Sequence, residues 1–296
     1  MREVDDQVRV ALRQRLVALE EHFQADCVFF FGPIYPGVER RFRDFLDSLR
    51  EDPTSKSRDA SLKNRLVVFL NTPGGSAETV EKLVEIIRFN FREVYFVVPD
   101  EAMSAGTIFC MAGDKIFMDY ASSLGPVDPQ IHNGKDWVPA LGYLDQVEKM
   151  IKRSSEGKLS EAELVILQNQ DLAMLSRYEQ AKNLTITLLK KWLVEYKFKD
   201  WDTHQTTPEL RGQVVTPEQK TRRAEEIATM LSDNKMWHSH GRMIGVGTLQ
   251  NVVRLKIEDY SKDAVLSAKI SGYNSLLIDY ITKNTHVSFF HSRCYF

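Results

Sequence analysis

Three short stretches of this 296-residue chain carry residue types suited to attack on a carbonyl: NTPGGS at 71–76, AMSAG at 102–106 and SSLGPVDPQ at 122–130. A serine at the start of a helix, as Ser104 would be, lies in a positive dipole field beside backbone N–H groups without intrahelical partners. Such N–H groups are placed to stabilise an oxyanion if the hydroxyl attacks. The position equally suits an N-cap, serine's commonest role there, although Thr107 leaves a capping box incomplete. Cap and nucleophile are compatible, and the residues alone leave both open. Tandem Gly74 and Gly75 let backbone approach a substrate closely and aim N–H groups at an anion, or simply make a tight turn. They lack the GK[ST] ending of a phosphate-binding loop. Asp128, between Pro126 and Pro129, sits in a stiff extended segment that reads either as a groove wall or as a surface turn.

A serine hydroxyl is a weak nucleophile until a neighbouring base takes its proton. His238 and His240, in MWHSHGRMI at 236–244, are one source. An H-x-H pair also binds metal, but no matching cluster accompanies it and no metal is expected. Lys149 is a second candidate; it would have to be desolvated to act near neutral pH, and reads first as a solvated surface lysine. Asp128 alone is a poor base for serine. Arg242 is suited to hold a carboxylate, of a substrate or of Asp128.

The elements that must position these residues follow from hydrophobic patterning. Apolar runs at 25–34, 65–75, 94–98 and 114–119 read as short buried strands. Helical patterns fall at 7–23, 38–51, 77–91 and 104–112. Four such strands alternating with helices predict an α/β fold with a mainly parallel sheet covered on both faces. Ligands gather at the carboxyl ends of such strands, and both PGG and MSAG fall there. Beyond about residue 140 the chain reads as mostly helical, with capping boxes at Ser160–Glu163 and Thr216–Gln219. The expected division is an N-terminal helix at 1–24, a core at 25–198, a linker loop at 199–216 and a helical C-terminal extension at 217–296.

A formal net charge of -2 gives nucleic acid or an anionic membrane surface no large basic excess to bind. No segment is apolar for long enough to span a bilayer, and the charged N-terminal stretch has no signal-peptide core. Cys27, Cys110 and Cys294 show neither metal-ligand nor redox spacing, which fits a reducing compartment. A cytoplasmic protein is expected.

Taken in order, PGG at 73–75, SAG at 104–106 and GPVDPQ at 125–130 resemble the ClpP-class peptidases of the ClpP/crotonase fold. The nearest likeness is to the serine dehydrogenase proteinase family, whose further signatures appear as YKFKDW at 196–201, RAEE at 223–226 and WHSHGR at 237–242. The resemblance runs from about residue 25 to about 280. It implies that Ser104 is the nucleophile and that Gly74, Gly75 and the N–H of Ala105 form the oxyanion hole. It also implies a peptide or protein substrate and a homo-oligomer.

The base departs from the pattern of the relatives. ClpP has a histidine in the segment after the next strand, where this chain reads Gly125-Pro126-Val127-Asp128. Membrane-bound relatives use a lysine near the start of the following helix, expected here around Pro139-Ala140-Leu141. Lys149 lies two to three turns further on. The HGR signature favours His240 as base, with Lys149 the fallback. Despite the family's name, no GxGxxG follows a strand and nothing resembles a nicotinamide or pyridoxal site, so no cofactor is expected. Two other readings keep the fold: a non-catalytic peptide-binding or scaffold protein, and the acyl-CoA chemistry of crotonases. The last is weakest, since crotonases do not need the serine.

Overall fold

The structure, a computed structural model, describes residues 2–59, 62, 64–132, 137–205 and 208–296. Helix α1 (Arg2–Phe23) leads into strand β1 (Asp26–Phe31), followed by α2 (Val38–Glu51), β2 (Arg65–Asn71), α3 (Ala77–Asn90) and β3 (Glu93–Val97). The two-residue strand β4 (Glu101–Ala102), α4 (Ala105–Met111), β5 (Lys115–Met118) and β6 (Ser123–Leu124) come next. A paired β7 (Gln130–His132) and β8 (Trp137–Pro139) open the helical region α5 (Ala140–Ser155), α6 (Glu161–Gln168) and α7 (Leu172–Trp192). After a π-helical turn at Leu193–Lys197 come α8 (Pro217–Ser232), α9 (Asn234–Trp237), α10 (Val246–Asn251), β9 (Glu258–Asp259), α11 (Ala264–Lys283) and β10 (Phe289–His291).

The main sheet has the order β10-β1-β2-β3-β5-β9, parallel throughout except for β10. Register explains why its strands read as unbroken apolar runs. Val28, Val68, Phe96 and Ile116 are neighbours across four strands and face the layer containing α2, α3, α4, α7 and α8. One residue along, Phe29, Phe69, Val97 and Phe117 face α1 and α11. Each face is sealed, so alternation between apolar and polar residues disappears. Leu12, Leu16 and Leu19 of α1 are fully buried there, each contributing about 2 kcal/mol by area removed from water.

The four strands expected from patterning all form, and α5 starts at Ala140 as expected. Both capping boxes are made, at Ser160 and at Thr216. The C-terminal stretch is mostly helical but also supplies both edge strands of the sheet, which patterning had not indicated. Among the described residues no helix is long and apolar enough to cross a membrane.

One edge depends on a glycine. Gly32 has φ 106°, and a Cβ there would lie 2.3 Å from the Val287 carbonyl oxygen and 2.9 Å from the Ser288 Cα. Both are backbone atoms next to β10. Gly32→Ala is therefore expected to loosen β10 from β1 at a cost of about 2–3 kcal/mol. A lowered melting temperature together with faster proteolytic clipping near residue 287 would report it; an unchanged melt would refute the contact's importance.

Candidate active site

Ser104 lies between β4 and α4, where the chain passes from strand to helix in two residues, Met103 and Ser104. Thr72 anchors the strand side: its N–H donates to the Glu101 carbonyl at 2.9 Å, and its carbonyl accepts from Met103 N–H at 2.9 Å. On the helix side, Gly106 N–H donates to the Met103 carbonyl at 2.7 Å. The turn between is so sharp that Ser104 takes φ 50°, ψ -114°. A non-glycine residue in this region stores about 1–3 kcal/mol of strain, a cost characteristic of functional positions.

Glycines surround the turn. A Cβ on Gly74 (φ 104°) would lie 2.9 Å from the Ser104 Cβ, and one on Gly125 would lie 3.1 Å from the Ser104 nitrogen. On Gly106 it would meet the Thr72 Cγ2 at 2.4 Å, so this glycine lets α4 press against the end of β2. The PGG, SAG and GPVDPQ stretches thus converge on one serine.

The expected capping role does not hold. Ser104 occupies the N-cap position, but its side chain makes no cap hydrogen bond. A capping residue needs extended backbone to bring its oxygen onto the first-turn N–H groups, and the positive φ of Ser104 denies it that.

The backbone donors around the serine differ. Gly74 N–H donates to the Thr72 hydroxyl at 3.1 Å. Among the described residues, nothing accepts from the N–H of Gly75 or of Ala105. The loop is fixed across the end of β1, with Ile34 N–H donating to the Gly74 carbonyl and Ser76 N–H to the Ile34 carbonyl, both at 2.8 Å. A Cβ on Gly75 would overlap the Ile34 carbonyl oxygen at 1.9 Å, so this position too admits only glycine.

Asp128 and His240, 112 positions apart, form a hydrogen-bonded pair with His240 Nδ1 2.9 Å from Asp128 Oδ1. The other carboxylate oxygen accepts from Gln130 Nε2 at 2.8 Å. Asp128 is buried, whereas the His240 side chain keeps 28% of its exposure. A single bridge brings the distant loop into place: Leu124 N–H donates to the Ile244 carbonyl at 3.1 Å, and Ile244 N–H returns the bond at 2.7 Å. Val127 N–H adds a bond to the Leu231 carbonyl at the end of α8, at 2.9 Å. Trp237 packs beneath the loop with its indole N–H on the Met230 carbonyl at 2.7 Å.

The other candidates stand apart. His238 is exposed, with φ 63°, and caps the C-terminus of α9. Arg242 is exposed; the partner of Asp128 is His240 rather than this arginine. Lys149 is exposed on α5, without the burial that a lysine base needs. Among the described residues, no group of three His, Cys, Asp or Glu side chains is placed to hold a metal.

Sequence reasoning assigned no role to Gly125 or Gln130. The GP and PQ flanks of Asp128 were visible, but only the fold shows one flank touching Ser104 and the other bonding the aspartate.

A glycine-walled serine at the carboxyl edge of a mostly parallel sheet flanked by helices is the setting on which the comparison with known families falls, and the class it defines is that of the ClpP-like serine proteinases. The chain belongs to that class: the family described as ClpP-like SDH-type serine proteinase matches residues 8–212, well over half of the chain. The family read from the motifs is thereby borne out over this range, while the RAEE stretch at 223–226 and the WHSHGR stretch at 237–242 lie beyond the match. Among similar proteins, the uncharacterized protein MJ0137 of Methanocaldococcus jannaschii is 28% identical over 180 residues, covering 60% of this chain. The uncharacterized protein MJ1495 of the same organism is 30% identical over 111 residues, covering 37% of this chain. The matched regions span 56% and 35% of those two proteins' own lengths. Two solved variants of the 1510-N membrane-bound stomatin-specific protease, one in complex with a substrate peptide, align at TM-scores of 0.43 and 0.42. Their identities are 12% and 14%, with 78% and 79% of this chain and 76% of each of theirs covered.

Proposed function

We propose that the protein is a serine peptidase in which Ser104 is the nucleophile, His240 its base and Asp128 the group that orients the histidine. The observation that carries this reading is the hydrogen bond between Nδ1 of His240 and the buried Asp128, whose carboxylate accepts it. A carboxylate on Nδ1 fixes the tautomer that leaves Nε2 as proton acceptor and stabilises the imidazolium once it forms. The same segment that carries Asp128 starts at Gly125, packed on the Ser104 nitrogen.

The chemistry follows from these placements. As Ser104 Oγ bonds to the substrate carbonyl carbon, its proton passes to His240 Nε2, and the carbonyl oxygen becomes an oxyanion. The N–H groups of Gly75 and Ala105, which have no acceptor among the described residues, are its donors. Gly74, with its N–H engaged by Thr72, contributes space instead. Collapse of the intermediate breaks the C–N bond, and His240 returns the proton to the leaving amine. Water, deprotonated by the same histidine, then releases the acyl group. In the free protein no hydrogen bond joins Ser104 to His240; catalytic hydrogen bonds commonly tighten only in the substrate complex.

The test is labelling with a fluorophosphonate and location of the adduct by mass. The adduct is expected on Ser104 and is expected to vanish in Ser104→Ala. His240→Ala should slow labelling by roughly 10²–10⁴-fold, the usual worth of a general base. Lys149→Ala should label at the wild-type rate. Full labelling of His240→Ala would remove the histidine from the reading, and no labelling of the wild type would favour a peptide-binding protein without hydrolysis.

A further inference from the structure

Thr107 lies one turn into α4 and is fully buried. Its hydroxyl is 2.9 Å from the Gly125 nitrogen, 2.9 Å from the Gly125 carbonyl oxygen and 2.8 Å from the Ala102 carbonyl oxygen. A hydroxyl has one proton and two acceptor sites, so it accepts from Gly125 N–H and donates to one of the two carbonyls. A helical threonine ordinarily bonds back to a carbonyl three or four residues earlier in its own helix. This one instead reaches across to a neighbouring segment.

The location of that segment gives the contact its meaning. Pairing of β4 with β6 holds the chain only as far as Leu124. Among the described residues, Gly125 to Asp128 have no strand partner, and the N–H of Gly125 donates to the Thr107 hydroxyl. Beyond it, Val127 is tied to the end of α8, and Asp128 to His240. Val127, Asp128 and the 240–244 loop are thus held to one another beyond the β4–β6 pairing, which ends at Leu124 opposite Ala102. Ser104 stands at the head of α4, three residues before Thr107.

We propose that Thr107 is a positioning residue, which sets the separation and angle between Ser104 and the Asp128–His240 pair by clamping Gly125 to α4. The proposal rests on the reading of Ser104 as nucleophile and His240 as base. Removing the hydroxyl leaves a buried N–H without its acceptor, so the segment must shift or admit water. A displacement near 1 Å at a reacting pair costs about 10²-fold in rate.

The experiment compares Thr107→Ser with Thr107→Ala, which both lack the γ-methyl and differ only in the hydroxyl. Fluorophosphonate inactivation of the folded, full chain is resolved into its maximal rate and its half-saturating concentration. The serine variant is expected close to wild type. The alanine variant is expected to lose roughly 10- to 100-fold in the maximal rate, with little change in half-saturation. If the alanine variant does not fold, Thr107→Val, which keeps the volume without the bonds, takes its place with the same expectation. Equal rates for the serine variant and its bond-free counterpart, whether both fast or both slow, would overturn the role of Thr107. A wild type that takes no label would instead overturn the peptidase reading on which it rests.

Discussion

Gly74→Ala is expected to cripple the reactivity of Ser104 while leaving the protein folded. The added methyl would meet the Met103 carbonyl oxygen at 2.7 Å, the Ser104 Cβ at 2.9 Å and the Ala105 nitrogen at 3.3 Å. Two of these are backbone atoms of the strained turn and cannot swing away as a flexible side chain would. The loop cannot retreat easily either, because its neighbours are bonded to Ile34 on both sides. Relief must come from the turn itself, by relaxation of Ser104 towards an ordinary backbone conformation or by displacement of α4. Either change separates the hydroxyl from the N–H groups of Gly75 and Ala105. The labelling rate should fall by roughly 10²-fold or more. Alanine at φ 104° adds about 1–3 kcal/mol of strain, which lowers the melting temperature without unfolding the chain. Circular dichroism and labelling kinetics on one preparation separate the two effects, and labelling at the wild-type rate would contradict the steric argument.

The second large effect concerns pH and stability, at the opposite end of the sheet. Glu20, near the end of α1, is buried and has its carboxyl pushed up to about 7, chiefly by lost hydration, with Arg293 partly offsetting this. The unfolded chain releases that proton near 4.5. Between these values the folded state holds a proton that the unfolded state has lost. Its stabilising contribution is full below about 4.5 and disappears as pH rises to about 7, a loss on the order of 3 kcal/mol.

His291 on β10 works in the other direction. Burial pushes its imidazole down to about 3 from 6.5, and the Tyr273 hydroxyl lies 2.6 Å from its Nδ1. Here the unfolded state binds the extra proton, so stability is present above 6.5 and is lost as pH falls towards 3. The two slopes oppose each other between 4.5 and 6.5, which hides both in the wild type. Glu20→Gln removes one of them. Its melting temperature relative to wild type should climb steadily between pH 4.5 and 7. A constant difference across that range would show that Glu20 does not hold its proton in the folded protein.

Much of this fold could be read before any coordinates, for a physical reason. β1, β2, β3 and β5 are sealed on both faces, so each announces itself as an unbroken apolar run with a turn signal after it. The glycine motifs were equally legible, since backbone crowding leaves few alternatives to glycine. What escaped depends on contacts between distant residues. Glu258–Asp259 and Phe289–His291 are too short to carry a period, and become strands only because a sheet edge awaits them. The pairing of Asp128 with His240 relies on the single bridge between Leu124 and Ile244, and no local pattern marks it. Of the two roles left open for Ser104, the cap fails because helix-start statistics assume the extended backbone that this turn forbids. Thr107 looked like a failed capping box, and its partner lies on another segment.

The position of β10 has a consequence for how the molecule is made. β1 lies between β2 and β10, and Phe29 pairs with His291 near the other end of the chain. A ribosome delivers residues in order, so β1 and β2 can join early while the far edge of β1 stays open. That edge is rich in phenylalanine and unpaired, the kind of surface that recruits strands from other chains. Arg293, buried between Glu20 and Asp26, then fastens the tail against both α1 and β1. The nascent protein therefore carries a sticky seam until Phe289–His291 has been made and pairs with β1. Chains shortened by that segment should accumulate as aggregates rather than as a smaller folded form.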